Sequence, residues 1–488
     1  MSIVLSATIA IAFAAFAILY ATRWHLGRKN ARPLPPGPKG LPILGNVNDM
    51  PKSGMLECHH WLRHKDVYGP LSSVTVLGQT FIIINDPEIA FELLRDRSAI
   101  HSSRPSQTFS GDMYVESSIR KNITKIASTN VSVSVFDKAQ ETEAAHFLLN
   151  LLESPDKLFD HIRKEAGSVI LKITYGYTAV ANGNDPFVDM AAKTMEQFAD
   201  ATVPGKWSLS QCTNQPYEFV KKQMREKRHS PSFLSQCIEG LGSDAEMEFV
   251  HKWTALALYL GGADTTVSSI MTFFLAMTVF PEVQKKAQEE LDRVIGGGRL
   301  PVSKDRESLP YIEAIMKETH RWHLVAPMCL PHCSTEEDTC RGYRIPKGSI
   351  LLPNNWHFTH DPEVYPDPMV FRPERFLETA SHKSEPDPRN FIFGYGRRIC
   401  PGRYVADNAL FITIAQTLAV FDITKFVDGD GRVVEPEVKF EPGAISHPVP
   451  YRCSIKPRSE DHKRLIKASE QLFPWEESDA KELENISW

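Results

Sequence analysis

The sequence predicts a mainly α fold with small β-sheets, the α+β class, and three observations support this prediction. Helical periodicity dominates from about residue 139 to residue 320, and it includes a run of about 35 residues from 246 to 280. Short β-like runs, broken by proline and glycine, lie around residues 71–84 and 324–355. The composition, with 42% hydrophobic and 24% charged residues, is that of a globular protein.

An N-terminal transmembrane anchor is predicted over residues 1–22. No charged residue occurs from Ile3 to Ala21, and this stretch is long enough to cross a bilayer as a helix. Basic residues begin at Arg23, whereas none precedes the apolar run, so the positive-inside rule places the remainder of the chain in the cytosol. A cleaved signal peptide is the alternative, and the absence of basic residues before the apolar run disfavours it.

Three further regions are predicted after the anchor. Residues 23–46 are basic and then proline-rich, and four prolines between residues 33 and 38 are expected to stiffen them into a hinge. The main domain is expected over residues 47–457, starting with two strands and a helix that opens near Asp86. The charged segment 458–488 is expected to form a C-terminal tail on the surface.

The run from 246 to 280 is predicted to be a buried central helix rather than a second membrane span. Asp264 lies in its middle, and an ionisable residue at bilayer depth costs on the order of 3 kcal/mol. Glycine and threonine pairs flank this acid in the segment GGADTT, although both residue types are poor helix formers, which indicates a function for the segment. A close contact between helices through small side chains is the alternative.

The segment FGYGRRICPG, residues 393–402, is the strongest candidate for a functional site. A lone cysteine is usually a small buried hydrophobe, but a proline and a glycine lead from Cys400 into a helix, whose N-terminus favours a thiolate. Gly394 and Gly396 allow a large flat group to approach the backbone, and two arginines could hold its anions. This combination points to haem iron. A nucleophilic cysteine is the alternative, but no base follows in the usual pattern.

The segment FGYGRRICPG resembles the haem-binding loop of the cytochrome P450 family, which is written F-x-x-G-x-R-x-C-x-G. The matching positions are Phe393, Gly396, Arg398, Cys400 and Gly402. The resemblance implies that Cys400 is the axial ligand of the haem iron and that the other four residues bind the haem. It covers residues 1–100 and 245–450 well.

Two further motifs imply a structural triad beside this loop. The segment KETHR resembles the family's E-x-x-R, and FRPERF resembles its P-E-R-F element. The resemblance therefore implies a buried cluster of Glu318, Arg321 and Arg375 that holds the loop before Cys400. Taken alone, the spacing of the first pair would equally suit a solvated pair on a helix surface. His332 falls where the family has a partner for a haem propionate.

The segment GGADTT resembles the family's oxygen-activating motif, which implies that Asp264 and Thr265 manage protons there. The implied fold is the cytochrome P450 fold, with one haem domain over residues 47–457 behind the anchor. The implied enzyme is a monooxygenase of the endoplasmic reticulum membrane that uses haem b, dioxygen and NADPH electrons from a cytochrome P450 reductase. Its style is closest to fungal members that oxidise small, lipophilic secondary metabolites. The net charge of -5 disfavours a nucleic acid partner.

Two stretches depart from the family pattern and leave alternatives open. The family's W-x-x-x-R helix, which grips a haem propionate, has no counterpart between residues 101 and 147. The stretch 203–219 is shorter than the family's substrate roof. One alternative is therefore an inactive or merely haem-binding membrane protein. The other is a haem-thiolate enzyme that uses peroxide or rearranges its substrate without a reductase.

Overall fold

The computed structural model describes residues 32–105, 122–124, 129–181, 183–200, 210–241 and 245–485, which contacts divide between two compact units. The predicted anchor over residues 1–22 lies outside these ranges, as do residues 106–121 of the stretch without the W-x-x-x-R helix. Among the described residues no single helix is both long and apolar enough to span a membrane, although one bent pair of helices, at 245–279 and 281–294, passes that test jointly. The anchor and the domain bounds stay predictions.

The first unit is organised around a four-stranded sheet and comprises residues 32–50, Trp61–Pro105 and Pro331–Pro353. Its strand order is β1-β2-β6-β3, with β2 and β6 parallel and the other two pairs antiparallel. A separate antiparallel pair joins β4 and β5. The strands are β1 (Leu71–Val76), β2 (Gln79–Ile84), β3 (His332–Cys333), β4 (Asp338–Cys340), β5 (Tyr343–Ile345) and β6 (Ile350–Pro353). The helices are α1 (Glu57–Tyr68, most of which belongs to this unit), α2 (Pro87–Ala90) and α3 (Ser98–His101).

The end of β2 follows the predicted strand–strand–helix order. Its last three residues are buried isoleucines, and Asp86 then caps α2 by accepting a hydrogen bond from Ile89 N at 2.9 Å. Pro87 occupies the first helical position, where the missing N–H costs nothing. The sequence signals of a buried strand and of a helix start therefore agree with the structure.

Part of the segment predicted to be a hinge packs on β1. Ser73 donates to Pro36 O at 2.8 Å from its backbone and to Pro35 O at 2.6 Å from its hydroxyl. A Cβ on Gly37 would lie 1.9 Å from Ser73 O, so this close approach requires glycine. Proline lacks an N–H group, but its carbonyl still accepts, which lets a proline-rich segment pair along a strand edge.

The second unit is mostly helical and comprises the described parts of Pro51–His60, Ser106–Leu330 and Asn354–Trp488. Its helices are α4 (Asn130–Val133), α5 (Asp137–Glu153), α6 (Leu158–Tyr175), α7 (Pro186–Asp200), α8 (Ser210–Arg225), α9 (Phe233–Leu241), α10 (Ala245–Val279), α11 (Pro281–Val294), α12 (Pro310–Trp322), α13 (Asn355–His360), α14 (Arg389–Ile392), α15 (Arg403–Val420) and α16 (Glu460–Leu472). An antiparallel sheet of order β8-β7-β9 completes it, with β7 (Phe421–Val427), β8 (Val433–Val434) and β9 (Cys453–Pro457).

The central helix α10 spans 35 residues and supplies much of the core of this unit. Its C-terminal third, from Val267 to Thr278, is buried throughout, which explains why the segment is as apolar as a membrane span. Helices α6 and α15 pack against it. Pro281 starts α11 directly after α10 ends. The predicted buried central helix is therefore present with nearly the predicted bounds.

The segment after residue 458, predicted to form a surface tail, is largely exposed but includes a helix that packs on the core. Residues 460–472 form α16, whose Ile466 is fully buried in the core of the second unit. Beyond that helix, the Trp475 ring stacks on the His146 ring with centroids 3.7 Å apart. Because the segment is mostly charged, its sequence indicates a solvated surface, and only the packing of the helix reveals the buried Ile466.

Candidate active site

Cys400 lines a cavity between α10 and α15 in the second unit. The cysteine is half-buried and directly precedes the first turn of α15. The facing part of α10 contributes Gly261 and Thr265, while α6 contributes Glu165 and Ile170. Most of the remaining wall is aliphatic. A cysteine sulfur in the wall of a largely apolar cavity suits a large group that is bound through a metal and otherwise held by packing.

The loop before Cys400 is folded by its own backbone. Cys400 N donates to Phe393 O at 2.6 Å, and Arg398 N donates to Tyr395 O at 2.8 Å. Gly394 has φ +76°, in the left-handed region that favours glycine. These contacts bring the first and eighth positions of the family motif together.

Gly402 and Gly261 border open space in this cavity. A Cβ built on either glycine would meet no atom within 4 Å, so neither is needed for close packing against protein. The two glycines lie on the α15 and α10 sides of the cavity, where an absent side chain leaves room for a flat group. The residues present therefore fit a haem bound through Cys400.

Asn355 hydrogen-bonds to the loop before Cys400. The sequence analysis did not identify this residue. The Tyr395 hydroxyl donates to Asn355 Oδ1 at 2.6 Å, and Asn355 Nδ2 donates to Phe391 O at 2.9 Å. Asn355 is completely buried at the start of α13. Its role depends on a contact across about 40 residues, and no local pattern marks such a contact.

Glu318, Arg321 and Arg375 form one buried ion cluster. The Glu318 carboxylate accepts from Arg321 Nε at 2.7 Å and from Arg375 Nε at 3.1 Å, and all three side chains are 0% exposed. Arg375 also pairs with Glu385 at 3.1 Å, a fourth member that the sequence did not indicate. Arg321 Nη1 reaches Thr359 O at 3.1 Å. The Glu318–Arg321 pair, whose spacing would also suit a solvated pair on a helix surface, is here completely shielded from water.

Thr265 and Asp264 face different surroundings although they are neighbours on α10. Thr265 Oγ1 donates to Gly261 O at 2.7 Å, the back-bond that can widen a helix, and Thr265 lines the cavity with Cys400. Asp264 Oδ1 lies 3.1 Å from Nε2 of His447. No sequence pattern indicates His447, which is separated from Asp264 by 183 positions.

The two glycines of GGADTT serve different purposes. Gly261 borders the open cavity, whereas a Cβ on Gly262 would lie 2.7 Å from Ile170 on α6. Gly262 therefore permits a close helix–helix contact, which was the alternative explanation for the whole segment. The close-contact explanation therefore applies to Gly262, and the function indicated for the segment stays a prediction.

Glu165 is a second group near the cavity that sequence reasoning missed. It is buried, and burial raises the pKa of its carboxyl to about 8 although Thr413 Oγ1 donates to it at 2.5 Å. Its Oε2 has no hydrogen-bond partner among the described residues. A glutamate inside an amphipathic helix looks like an ordinary surface residue in the sequence, so only the packing of α6 against α15 reveals it.

His332 lies in the other unit from Cys400. It is completely buried in β3, and its Nδ1 is 2.8 Å from His101 O. Its role toward a haem propionate stays a prediction.

A family model described as Cytochrome P450 matches residues 35–120 and 189–453 of the chain. Cytochrome P450 monooxygenase claR of Ampulloclitocybe clavipes is 42% identical over 491 residues, covering 92% of this chain and 90% of the relative. Cytochrome P450 monooxygenase ppsD of Aspergillus oryzae is also 42% identical, covering 95% and 96%. O-methylsterigmatocystin oxidoreductase of Aspergillus flavus is 38% identical, covering 94% of each chain.

Proposed function

Because the chain belongs to the cytochrome P450 family, we propose that it oxidises a small lipophilic substrate with dioxygen and with NADPH electrons from a separate reductase. Family membership establishes the coarser statement, that the protein is an oxygen-incorporating monooxygenase with haem b. The observation that carries the proposal is that Cys400 lines one cavity with the glycine–threonine segment of α10. When bound through Cys400, haem supplies the binding and activation of dioxygen.

The chain's own residues would position the substrate and handle protons around that chemistry. The aliphatic wall of the cavity excludes water and favours an apolar substrate. Thr265 places a hydroxyl at the cavity wall, and the Asp264 carboxyl, one position earlier on α10, can hold and release a proton. The buried cluster around Glu318 would hold the loop that presents Cys400.

The substrate class and pathway follow from the relatives by analogy. The three relatives are fungal, and the name of one states that it oxidises O-methylsterigmatocystin, a small molecule. A lipophilic intermediate of fungal secondary metabolism is therefore the class of substrate that we assign to this chain. Its identity and the oxidised carbon would depend on residues around the cavity.

A membrane setting completes the proposal. The apolar run from Ile3 to Ala21 and the basic residues after it support a single-pass anchor in the endoplasmic reticulum membrane, with the haem domain in the cytosol. A cytochrome P450 reductase in the same membrane would be the electron donor.

The first test is the carbon monoxide difference spectrum of dithionite-reduced membranes that contain the full chain. We expect the red-shifted Soret band of a thiolate-ligated haem in the wild type and its absence in Cys400→Ser. Cys333→Ser is the matched control, because Cys333 is a half-buried cysteine of the other unit, and it should keep the band. Folded protein without any haem signal would favour the inactive alternative.

The second test is turnover with reductase and NADPH on a panel of lipophilic substrates. Product that requires both reductase and NADPH supports the proposal. Product from a hydroperoxide alone, with none from NADPH, would favour the peroxide-using alternative. NADPH consumption without product from any substrate would contradict the proposed monooxygenase.

A further inference from the structure

The segment 441–451 is attached to the face of α10 that carries Asp264. The Ser268 hydroxyl donates to Ser446 O at 2.6 Å, and the Tyr451 hydroxyl donates to the carbonyl of residue 271 at 2.6 Å. Positions 264, 268 and 271 are spaced by four and three, so they share one side of the helix. The segment therefore follows α10 directly beside the acid of GGADTT.

The backbone next to His447 is held from a second side as well. Ser446 N donates to Val325 O at 2.8 Å, and Ser446 is completely buried. Phe440, the residue just before this segment, stacks on the His323 ring with centroids 3.5 Å apart. These contacts fix the position from which the His447 side chain projects.

His447 contacts the acid, and both side chains are partly exposed. The His447 Nε2 is 3.1 Å from Asp264 Oδ1, and the two side chains are 22% and 24% exposed. Thr265, the next residue on α10, lines the cavity with Cys400. Both members of the pair therefore reach water, and the carboxyl belongs to the residue that precedes Thr265 of the cavity wall.

We propose that His447 is a positioning residue that orients the Asp264 carboxylate and supplies it with protons from water, an inference that rests on the proposed monooxygenase function. The imidazolium transfers the proton from Nε2 to Oδ1 of Asp264, and the neutral ring then takes another from water. Only N–H and O–H bonds change in this transfer. Imidazole suits it because the ring has two nitrogens, one of which can donate a proton while the other accepts one.

We expect His447, rather than the titratable groups around it, to make this proton transfer. His323 packs against the same segment, but burial lowers its pKa to about 3, so it stays neutral and brings no proton at neutral pH. Lys439 and Glu441 belong to the same loop as His447, and both are exposed to water. Asp264 is the charged group of α10 that contacts the ring.

A purely structural role is the competing explanation. The contacts of Ser446 and Tyr451 already attach the segment to α10, so the His447 side chain is not needed for that purpose. His447→Gln separates the two roles, because an amide can still donate to Asp264 but does not carry a proton at neutral pH. His447→Ala removes both, and His462→Gln on α16 is a control for histidine loss elsewhere.

The test uses the membrane-bound holoenzyme with reductase and measures product formed per NADPH consumed at pH 6 to 8. We expect His447→Gln and His447→Ala to lower this ratio by about tenfold, below the 10²–10⁴-fold of a complete general acid, while NADPH is still consumed. They should also raise the solvent deuterium isotope effect on product formation. Peroxide-driven product formation should stay within about twofold of wild type, because a peroxide brings its own protons.

A readout without turnover is the thermal unfolding of the same variants, combined with Asp264→Asn in a double-mutant cycle. We expect the melting-temperature changes to be non-additive, because the two side chains are in contact. Additive changes would overturn the pairing. A His447→Gln enzyme with the wild-type ratio and pH profile would overturn the proton role, and so would equal loss of NADPH-driven and peroxide-driven turnover. If the wild type forms no product with reductase, the proposed function fails and this inference fails with it.

Discussion

Glu165 lies buried between α6 and α15, and burial raises the pKa of its carboxyl to about 8. An unfolded chain exposes this group to water, where its pKa is about 4.3. Between these values the folded protein holds a proton that the unfolded protein releases. Stability from this group is therefore complete below about pH 4.3 and is lost as the pH rises toward 8.

Glu165→Gln should remove this pH dependence. We expect the variant to be more stable than wild type at pH 8, by about 4–5 kcal/mol, and by only about 1 kcal/mol near pH 5. Thermal unfolding of the holoenzyme at the two pH values measures the effect. Glu470→Gln is the control, because Glu470 is exposed on α16 and its loss should change neither curve. A Glu165→Gln protein that is equally destabilised at both pH values would contradict the assignment.

Gly262 and Gly261 provide a second test at the scale of single residues. Gly262→Ala forces a Cβ to within 2.7 Å of Ile170, and such overpacking costs about 1–3 kcal/mol. Gly261→Ala meets open space and should gain up to about 1 kcal/mol from helix propensity. Thermal unfolding compares the two. Because Gly261 borders the cavity, its variant should also change the affinity of the cavity for ligands.

At the scale of elements, the buried cluster around Glu318 ties α12 to the turn at Pro373–Phe376. Arg375→Ala leaves part of the Glu318 charge buried without its partner, and this typically costs about 3–5 kcal/mol. We expect a lower melting temperature and reduced haem loading, measured from the carbon monoxide spectrum per unit of folded protein. Normal loading and stability in Arg375→Ala would show that the cluster does not hold the loop.

Lys286→Ala is the matched control for that cluster. Lys286 pairs with Glu374, the neighbour of Arg375 in the same turn, but the pair is exposed at 53% and 37%. Solvated pairs contribute about 0–1 kcal/mol, so this variant should keep its stability and its haem. The comparison separates burial from the mere presence of an ion pair.

Helix α16 gives a prediction about the C-terminal segment. Ile466 is 0% exposed, whereas Leu472 on the same helix is 76% exposed. Ile466→Ala should cost about 2–5 kcal/mol, and Leu472→Ala should be close to neutral. Chemical unfolding of the two variants measures the difference. Equal effects would mean that the segment is the surface tail that its charge pattern indicates.

At the scale of the whole molecule, the predicted anchor decides where the enzyme works. We expect the full chain to stay in the membrane fraction after carbonate extraction at high pH. A variant without residues 1–22 should lose much of this attachment but keep its thiolate-type carbon monoxide spectrum. Full-length protein that carbonate releases would contradict the transmembrane assignment.

Local sequence patterns predicted many features of this fold. The bounds of α10, the two strands before Asp86 and the helix after Cys400 follow from periodicity and from proline and glycine at element ends. The family motif likewise pointed to Cys400 and to the residues of the buried cluster, because each motif lies within a few consecutive residues. The roles of these residues in catalysis stay predictions that the experiments above test.

The sequence by itself determined the α+β class and the family, and it predicted the cysteine that would hold a haem, because these depend on residues close together in the chain. Only the tertiary structure placed His447 beside Asp264, Asn355 under the loop before Cys400, and Glu165 in a buried position between two helices. Each of these depends on a contact between distant segments, and burial then sets the energy of a polar group. A carboxyl that looks ordinary in the sequence has a raised pKa, and so keeps its proton, only when packing removes it from water.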